Sequence, residues 1–192
     1  MKGVKMKVIH KVTLGVGSLL IVGVIALSMS DSSSAEQLFD GNTIKSIELG
    51  GDSTALSIST HKEAKEIRIE AHDKRWCSIE AHANVKGDVL HLTIERPSVS
   101  GWLLCDPVVA LELPEERNLK IKLDALAADI NGRFAAVSLT GDKNVLNFEG
   151  KASAFKLDGD AGVFNVRFTE PIAREAVRID VPLAVSRVIY AD

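Results

Sequence analysis

Only two cysteines, two tryptophans and one tyrosine occur in 192 residues, and phenylalanine adds six more rings. So few aromatics beside 14 glycines argue against a helical bundle and for thin β layers joined by turns. Two cysteines cannot supply the four-ligand set of a cysteine zinc centre. The sequence has no Gly-x-Ser-x-Gly, no glycine-rich phosphate loop and no His-Glu-x-x-His. The commonest nucleophilic, nucleotide-binding and zinc-protease chemistries therefore have no signature here. A basic face is missing too. Four lysines and one aspartate fall in residues 1–35, which leaves 19 basic and 25 acidic side chains, a net of −6, in residues 36–192. Phosphate-rich partners need the opposite balance, so nucleic acid is excluded as a partner.

Charge is also absent from Val12–Met29, an apolar run that follows the basic stretch Met1–Lys11 and precedes Ser30-Asp-Ser-Ser-Ser34. That order is the plan of an export signal. Ser33-Ser-Ala35 fits a small-residue cleavage site that would leave Glu36 as the new terminus. The run is 18 residues long, enough to span a membrane, so an uncleaved anchor is the alternative. In either case the lysines stay in the cytoplasm and the rest is exported, to the periplasm or the cell surface. In an oxidising compartment Cys77 and Cys105 are expected to form a disulfide. Closing that loop would stabilise the fold by about 3–4 kcal/mol on the chain-entropy model. Two separate buried thiols are the alternative. Trp76 and Trp102 lie near these cysteines in sequence, and suggest a small apolar plug around the bridge.

What is present in quantity is period-two alternation. Ile47 and Leu49, Leu56 and Ile58, Ile67 and Ile69, Leu90, Leu92 and Ile94 alternate with polar neighbours, separated by turns such as Gly50-Gly51-Asp52 and Lys86-Gly87-Asp88. This predicts strands with one buried and one wet face. From Leu119 the sequence repeats with an offset of 18 residues. Val137-Ser-Leu-Thr-Gly-Asp142 returns as Phe155-Lys-Leu-Asp-Gly-Asp160. Leu146-Asn-Phe-Glu-Gly150 has counterparts at Ala128-Asp-Ile-Asn-Gly132 and Phe164-Asn-Val-Arg-Phe168. A constant offset lets each apolar position lie over its predecessor, about 4.8 Å away. Each 18-residue unit reads as two short strands separated by turns. After Pro171 the register stretches by four residues, so that Val177–Asp180 takes the place of Phe155–Asp158. The expected fold is all-β: a single-domain β-solenoid, parallel β-helix-like, with 18-residue coils and an N-terminal half of irregular strand pairs. Residues 1–35 are the signal or anchor and 36–192 the solenoid. Leu139, Val145, Leu157 and Val163 also fit the core of a left-handed hexapeptide coil, which Arg133 and Lys151 interrupt.

Three groups could carry chemistry. Asp124, Asp142 and Asp160 recur at the repeat offset; a carboxylate ladder either sits at a solvated turn or holds a cation. Asn147 and Asn165 should stack as an amide ladder. Ile69-Glu-Ala-His72 and Ile79-Glu-Ala-His82 are near copies. Paired as a hairpin about Arg75, they would share their Glu and His on one wet face, with His91 nearby, a transition-metal arrangement. The metal candidates are therefore His72, His82, His91, Asp142 and Asp160, against a plainer reading in which all are solvated or in turns. No cofactor is implied and no catalytic residue stands out; Asp129 and Arg133 are the nearest approach to a polysaccharide-cleaving cluster. The stretch from His72 to Cys105 is the better place to look for a specific site.

The steps Lys86-Gly-Asp-Val-Leu-His-Leu-Thr-Ile94 and Val109-Ala-Leu-Glu-Leu-Pro114, followed by the Gly-Asp repeat, resemble the adhesin-like domains called head-GIN and the related DUF4097 families of bacterial envelope proteins. The resemblance covers roughly residues 44–190. It implies a β-solenoid and supplies no catalytic residues. The export signal, the repeat and the missing catalytic motifs make the leading expectation an exported, non-enzymatic envelope protein that presents a β-solenoid face for binding or scaffolding, its partner another envelope protein or a glycan. Two other roles are a membrane-anchored periplasmic accessory of an envelope-stress or transport system, and a carbohydrate-acting or metal-dependent enzyme.

Overall fold

A computed structural model of the chain describes residues 22–26, 34–72, 80–95 and 108–191. Cys77, Cys105, Trp76 and Trp102 lie outside the described residues, and with them the predicted disulfide and its apolar plug.

The described chain is all-β. Its one helical piece among the described residues is a three-residue 3-10 turn, Arg174–Ala176. The strands are β1 (Val22–Ala26), β2 (Ser34–Asp40), β3 (Ser46–Gly51), β4 (Thr54–His61), β5 (Glu66–His72), β6 (Glu80–Lys86), β7 (Val89–Glu95), β8 (Val108–Pro114), β9 (Arg117–Leu123), β10 (Ala125–Thr140), β11 (Lys143–Asp158), β12 (Ala161–Phe168), β13 (Val177–Asp180) and β14 (Leu183–Ile189). All join one curled, open sheet. Alternation explains most of them: in β9, for example, Leu119, Ile121 and Leu123 are buried between exposed residues.

The sheet curls because β10 and β11 each serve two neighbours. The first half of β10 lies parallel to β4, from Leu126 opposite Thr54. Its second half lies parallel to β9, with Val137 opposite Leu119. Likewise β11 holds β12 along its first half and β13 along its second. One flank therefore stacks β6, β7, β3, β9, the second halves of β10 and β11, and β13. The other stacks β2, β5, β8, β4, the first halves of β10 and β11, β12 and β14. The inward side chains of both flanks meet in a single core cluster.

Between β10 and β11 the register is a constant 18 residues, Ala125 opposite Lys143 through Thr140 opposite Asp158. The offset stretches to 22 at β13, where Val177 lies opposite Phe155. Like side chains pile into columns. Leu90, Ile47, Leu119, Val137, Phe155 and Val177 form one on the first flank. Leu111, Ile58, Ile130, Phe148, Val166 and Val188 form one on the second. Stacked branched and aromatic side chains each contribute about 1.5–3 kcal/mol of burial.

Three expectations change here. The repeat unit is not two short strands: β10 and β11 are 16 residues each and stay in the ladder across the bend. The bend is made by Gly132 lying under Gly150, where a Cβ on Gly150 would sit 1.9 Å from the Gly132 carbonyl oxygen. Only glycine allows backbones that close, and Gly132 also takes a φ of 123° that side-chain-bearing residues rarely adopt. Second, the hexapeptide core fails, because Val145 and Val163 point outward and are 61% and 56% exposed. Third, the N-terminal half is not a separate irregular region. β3 and β4 sit in the middle of the parallel ladders, with β7 and β8 beside them on one side and the strands of the repeat on the other.

The stretch before Asp40 is a strand: β2 runs antiparallel to β5, Ser34 opposite His72. Val22–Ala26, within the apolar run, pairs antiparallel with β6. No helix among the described residues is long and apolar enough to cross a membrane.

Candidate functional site

The predicted hairpin between the two Glu-Ala-His segments does not form. β5 takes β2 and β8 as neighbours, while β6 takes β1 and β7. The two segments sit on opposite flanks, so His72 is separated from His82 and the proposed shared metal face disappears. The physical reason is that each segment finds a longer antiparallel partner elsewhere: Glu80–Lys86 matches Val89–Glu95 across the tight turn at Gly87-Asp88. That pairing brings a different set together. Glu80 lies directly opposite Glu95, and the His82 Nε2 is 3.6 Å from a Glu80 carboxylate oxygen. Ligand atoms of Glu80, His82 and Glu95 lie within 4.8 Å of one another, the one such group among the described residues. His91 is on the same wet face but turns to Glu48, 3.4 Å away, which also holds Lys120 at 3.2 Å.

Asp142 and Asp160 occupy stacked turns. The Asp142 N–H donates to the Asp124 carbonyl at 3.0 Å, and the Asp160 N–H to the Asp142 carbonyl at 3.1 Å. The ladder at these turns is one of main-chain bonds. Beneath it Asn144 is buried and donates through Nδ2 to the Gly141 carbonyl at 2.7 Å, which ties the turn to the strand that follows. The amide ladder is present: Asn165 Nδ2 donates to Asn147 Oδ1 at 2.9 Å, and Asn147 Nδ2 to Asp129 Oδ1 at 3.2 Å. Asp129 and Arg133 do not work together. Asp129 accepts from Asn131 and Asn147. Arg133 sits at the bend among Glu115, Glu116 and Glu170. The Glu170 hydrogen bond, opposed by burial, raises its already high pKa further.

Beside the amide ladder lies an apolar surface that includes Val145 and Val163, two positions that also fit a hexapeptide core. On the outward side of the second flank, Ala55, Ala127, Val145, Val163 and Val185 stack in one column. The next column is Ala125, Lys143, Ala161 and Leu183. Leu183 and Val185 are each 73% exposed. Two adjoining shallow depressions of about 560 Å³ each run along these columns. Lys143 is the one charge within the two columns; the third column, Ser57, Asp129, Asn147, Asn165 and Arg187, offers hydrogen-bonding groups. Monomeric proteins rarely leave a contiguous aliphatic strip in water unless something binds there. The signal was in the phase. Val145 shares a strand face with Lys143 and Asn147, whereas Asn144 and Leu146 face inward.

The architecture is shared with a solved structure. A solved Clostridium sporogenes structure, described as a candidate cell adhesion protein, aligns with a TM-score of 0.53 at 14% identity, covering 82% of this chain and 99% of its own. A Bacteroides fragilis candidate adhesin aligns at 0.34 with 10% identity, over 80% of this chain and 96% of its own. No family model and no curated protein matches the chain.

Proposed function

We propose that the chain is an exported, non-enzymatic protein of the bacterial cell envelope. In this reading residues 36–192 form a β-solenoid of the head-GIN and DUF4097 kind, and residues 1–35 carry it out of the cytoplasm. The solenoid presents the outward face of β4, β10, β11, β12 and β14 to a macromolecular partner. The observation that carries this is the exposed aliphatic strip of Val145, Val163, Leu183 and Val185 alongside the Asp129–Asn147–Asn165 ladder. Aliphatic area supplies affinity and the ladder supplies direction, a division usual in protein interfaces. Phe164, the one ring lining these depressions, is buried at 4% exposure, so the described residues offer no exposed aromatic platform of the kind that stacks sugar rings, and an envelope protein fits better than a glycan. The Clostridium sporogenes protein that shares the fold carries a candidate role in cell adhesion, which agrees with a surface role.

The test is chemical cross-linking in intact cells followed by capture. The wild-type chain should yield a discrete adduct that Val145→Lys/Val163→Lys loses while remaining folded. An adduct indifferent to both lysines would remove this face from the function. Intact mass of the exported protein separates cleavage after Ala35 from an anchor retained through Val12–Met29.

A second reading, a metal-dependent activity, is favoured by the Glu80–His82–Glu95 cluster. Calorimetric titration with zinc would support it by a heat that His82→Ala abolishes; a flat trace at millimolar metal disposes of it.

A further inference from the structure

The sheet ends on β13 and β14, and neither has a second strand beside it among the described residues. Unpaired edges in native proteins are usually blunted by charge, proline or a covering segment. β14 carries one charged residue, Arg187, and shows Leu183 and Val185 to solvent at 73% each. β13 carries Arg178 and Asp180, which are 70% and 65% exposed and 3.6 Å apart along the same strand.

We propose that this open end is a self-association surface, on which a second copy of the chain adds its own β13 and β14 antiparallel about a two-fold axis through Ile179 and Ala184. The main chain sets which residues can pair. The Asp180 carbonyl accepts from the Gly159 N–H at 3.0 Å, and the Leu183 N–H donates to the Asp160 carbonyl at 3.2 Å. Those groups point to the covered side. Successive residues of a strand alternate in hydrogen-bonding direction. Ile179 and Ala184 therefore direct their N–H and C=O to the open side, as a hydrogen-bonded pair on a two-fold axis requires. Each lies two residues from the Val181-Pro182 turn, so one axis can serve both strands.

That register is self-complementary. Arg178 faces the second copy's Asp180, and its own Asp180 faces the second copy's Arg178. These are non-hydrogen-bonded pairs, in which opposing side chains come closest. On β14, Leu183 faces the second copy's Val185, and reciprocally. A strand of arbitrary sequence would satisfy neither arrangement twice, whereas an isologous copy does so by symmetry. The pairing also closes on itself and leaves no further edge at this end, so it gives dimers rather than fibres.

Sedimentation velocity on the exported protein, at up to about 100 μM, tests the proposal. A dimer is expected. Arg178→Asp places like charges opposite each other twice and should weaken association about tenfold or more. The exchange Arg178→Asp/Asp180→Arg should restore it. Ala184→Pro removes the N–H on the axis without touching the covered side and should yield monomers. Both charged residues are exposed, so circular dichroism should show that the variants keep their strands. A wild-type monomer at the highest concentration overturns the proposal. So does a dimer that Arg178→Asp leaves unchanged, or one that the exchange fails to restore. Val145→Lys/Val163→Lys should leave the dimer intact, so failure here is distinguishable from failure of the partner-binding face.

Discussion

At one end of the sheet β1 and β2 run antiparallel to the strands they cover, whereas at the other β13 and β14 run parallel to theirs and carry no further strand among the described residues. The antiparallel end is stitched by exposed charge: Arg68 reaches Glu36 at 3.0 Å and Glu112 at 3.7 Å, across three neighbouring strands. The parallel end is held from within. Phe148 lies 5.1 Å from Phe155 and 5.7 Å from Phe168, Phe168 is 5.5 Å from Tyr190, and Arg174 sits 5.0 Å over the Tyr190 ring. An antiparallel strand reverses the chain and interrupts the 18-residue progression. A parallel strand continues it, so stability there depends on packing along the columns. The two ends thus separate a device that stops a repeat from one that extends it.

Five substitutions would break or sharpen that contrast. Phe148→Ala removes the ring at the centre of the aromatic cluster and should cost about 3–5 kcal/mol. For a chain of this size that lowers the melting temperature by roughly 2–4 °C per kcal/mol, readable by calorimetry. A loss under about 1 kcal/mol would deny the columns their role. Gly150→Ala drives a methyl into the Gly132 carbonyl and should cost about 1–3 kcal/mol in urea denaturation. Gly87→Ala in the β6–β7 turn meets open space and faces only its φ of 62°, a cost of about 1 kcal/mol. Equal losses would mean that the bend is not a steric constraint. Asn147→Ala cuts the amide ladder in two places and should cost about 0.5–1.5 kcal/mol. Arg68→Ala, at the charge-stitched end, should cost less than about 1 kcal/mol and less again at high salt. A larger effect would show the antiparallel end to be more than an exposed cover.

The 18-residue ladder was legible because a parallel in-register sheet places like residues over like. Val137 over Leu119 and Asn165 over Asn147 follow from spacing alone. The four-residue stretch before Val177 could be read the same way. What could not be read is pairing between segments that carry no shared pattern. β5 chooses β2 and β8 through contacts such as Arg68 opposite Glu112, 44 residues on, and nothing local announces it. The false hairpin came from two similar tetrapeptides whose likeness was a property of strands in general. The aliphatic strip was missed for a related reason. Hydrophobicity identified Val145 and Val163, but only their phase against the buried Asn144 reveals which side they face. The Glu80–His82–Glu95 cluster depends on the Gly87 turn fixing Glu80 opposite Glu95, a register one residue either way would dissolve.

The constant offset between β10 and β11 makes chain length a modular quantity. Every residue from Ala125 to Thr140 except Ala135 is paired with its counterpart 18 positions later. A tandem duplication of residues 143–160 would therefore find the same floor below and offer the same ceiling above, lengthening the body by about 4.8 Å. A duplication of any other length would swing the outward valines into the core or carry the bend glycines away from one another. Such a chain can change its reach by whole storeys while its ground plan stays fixed.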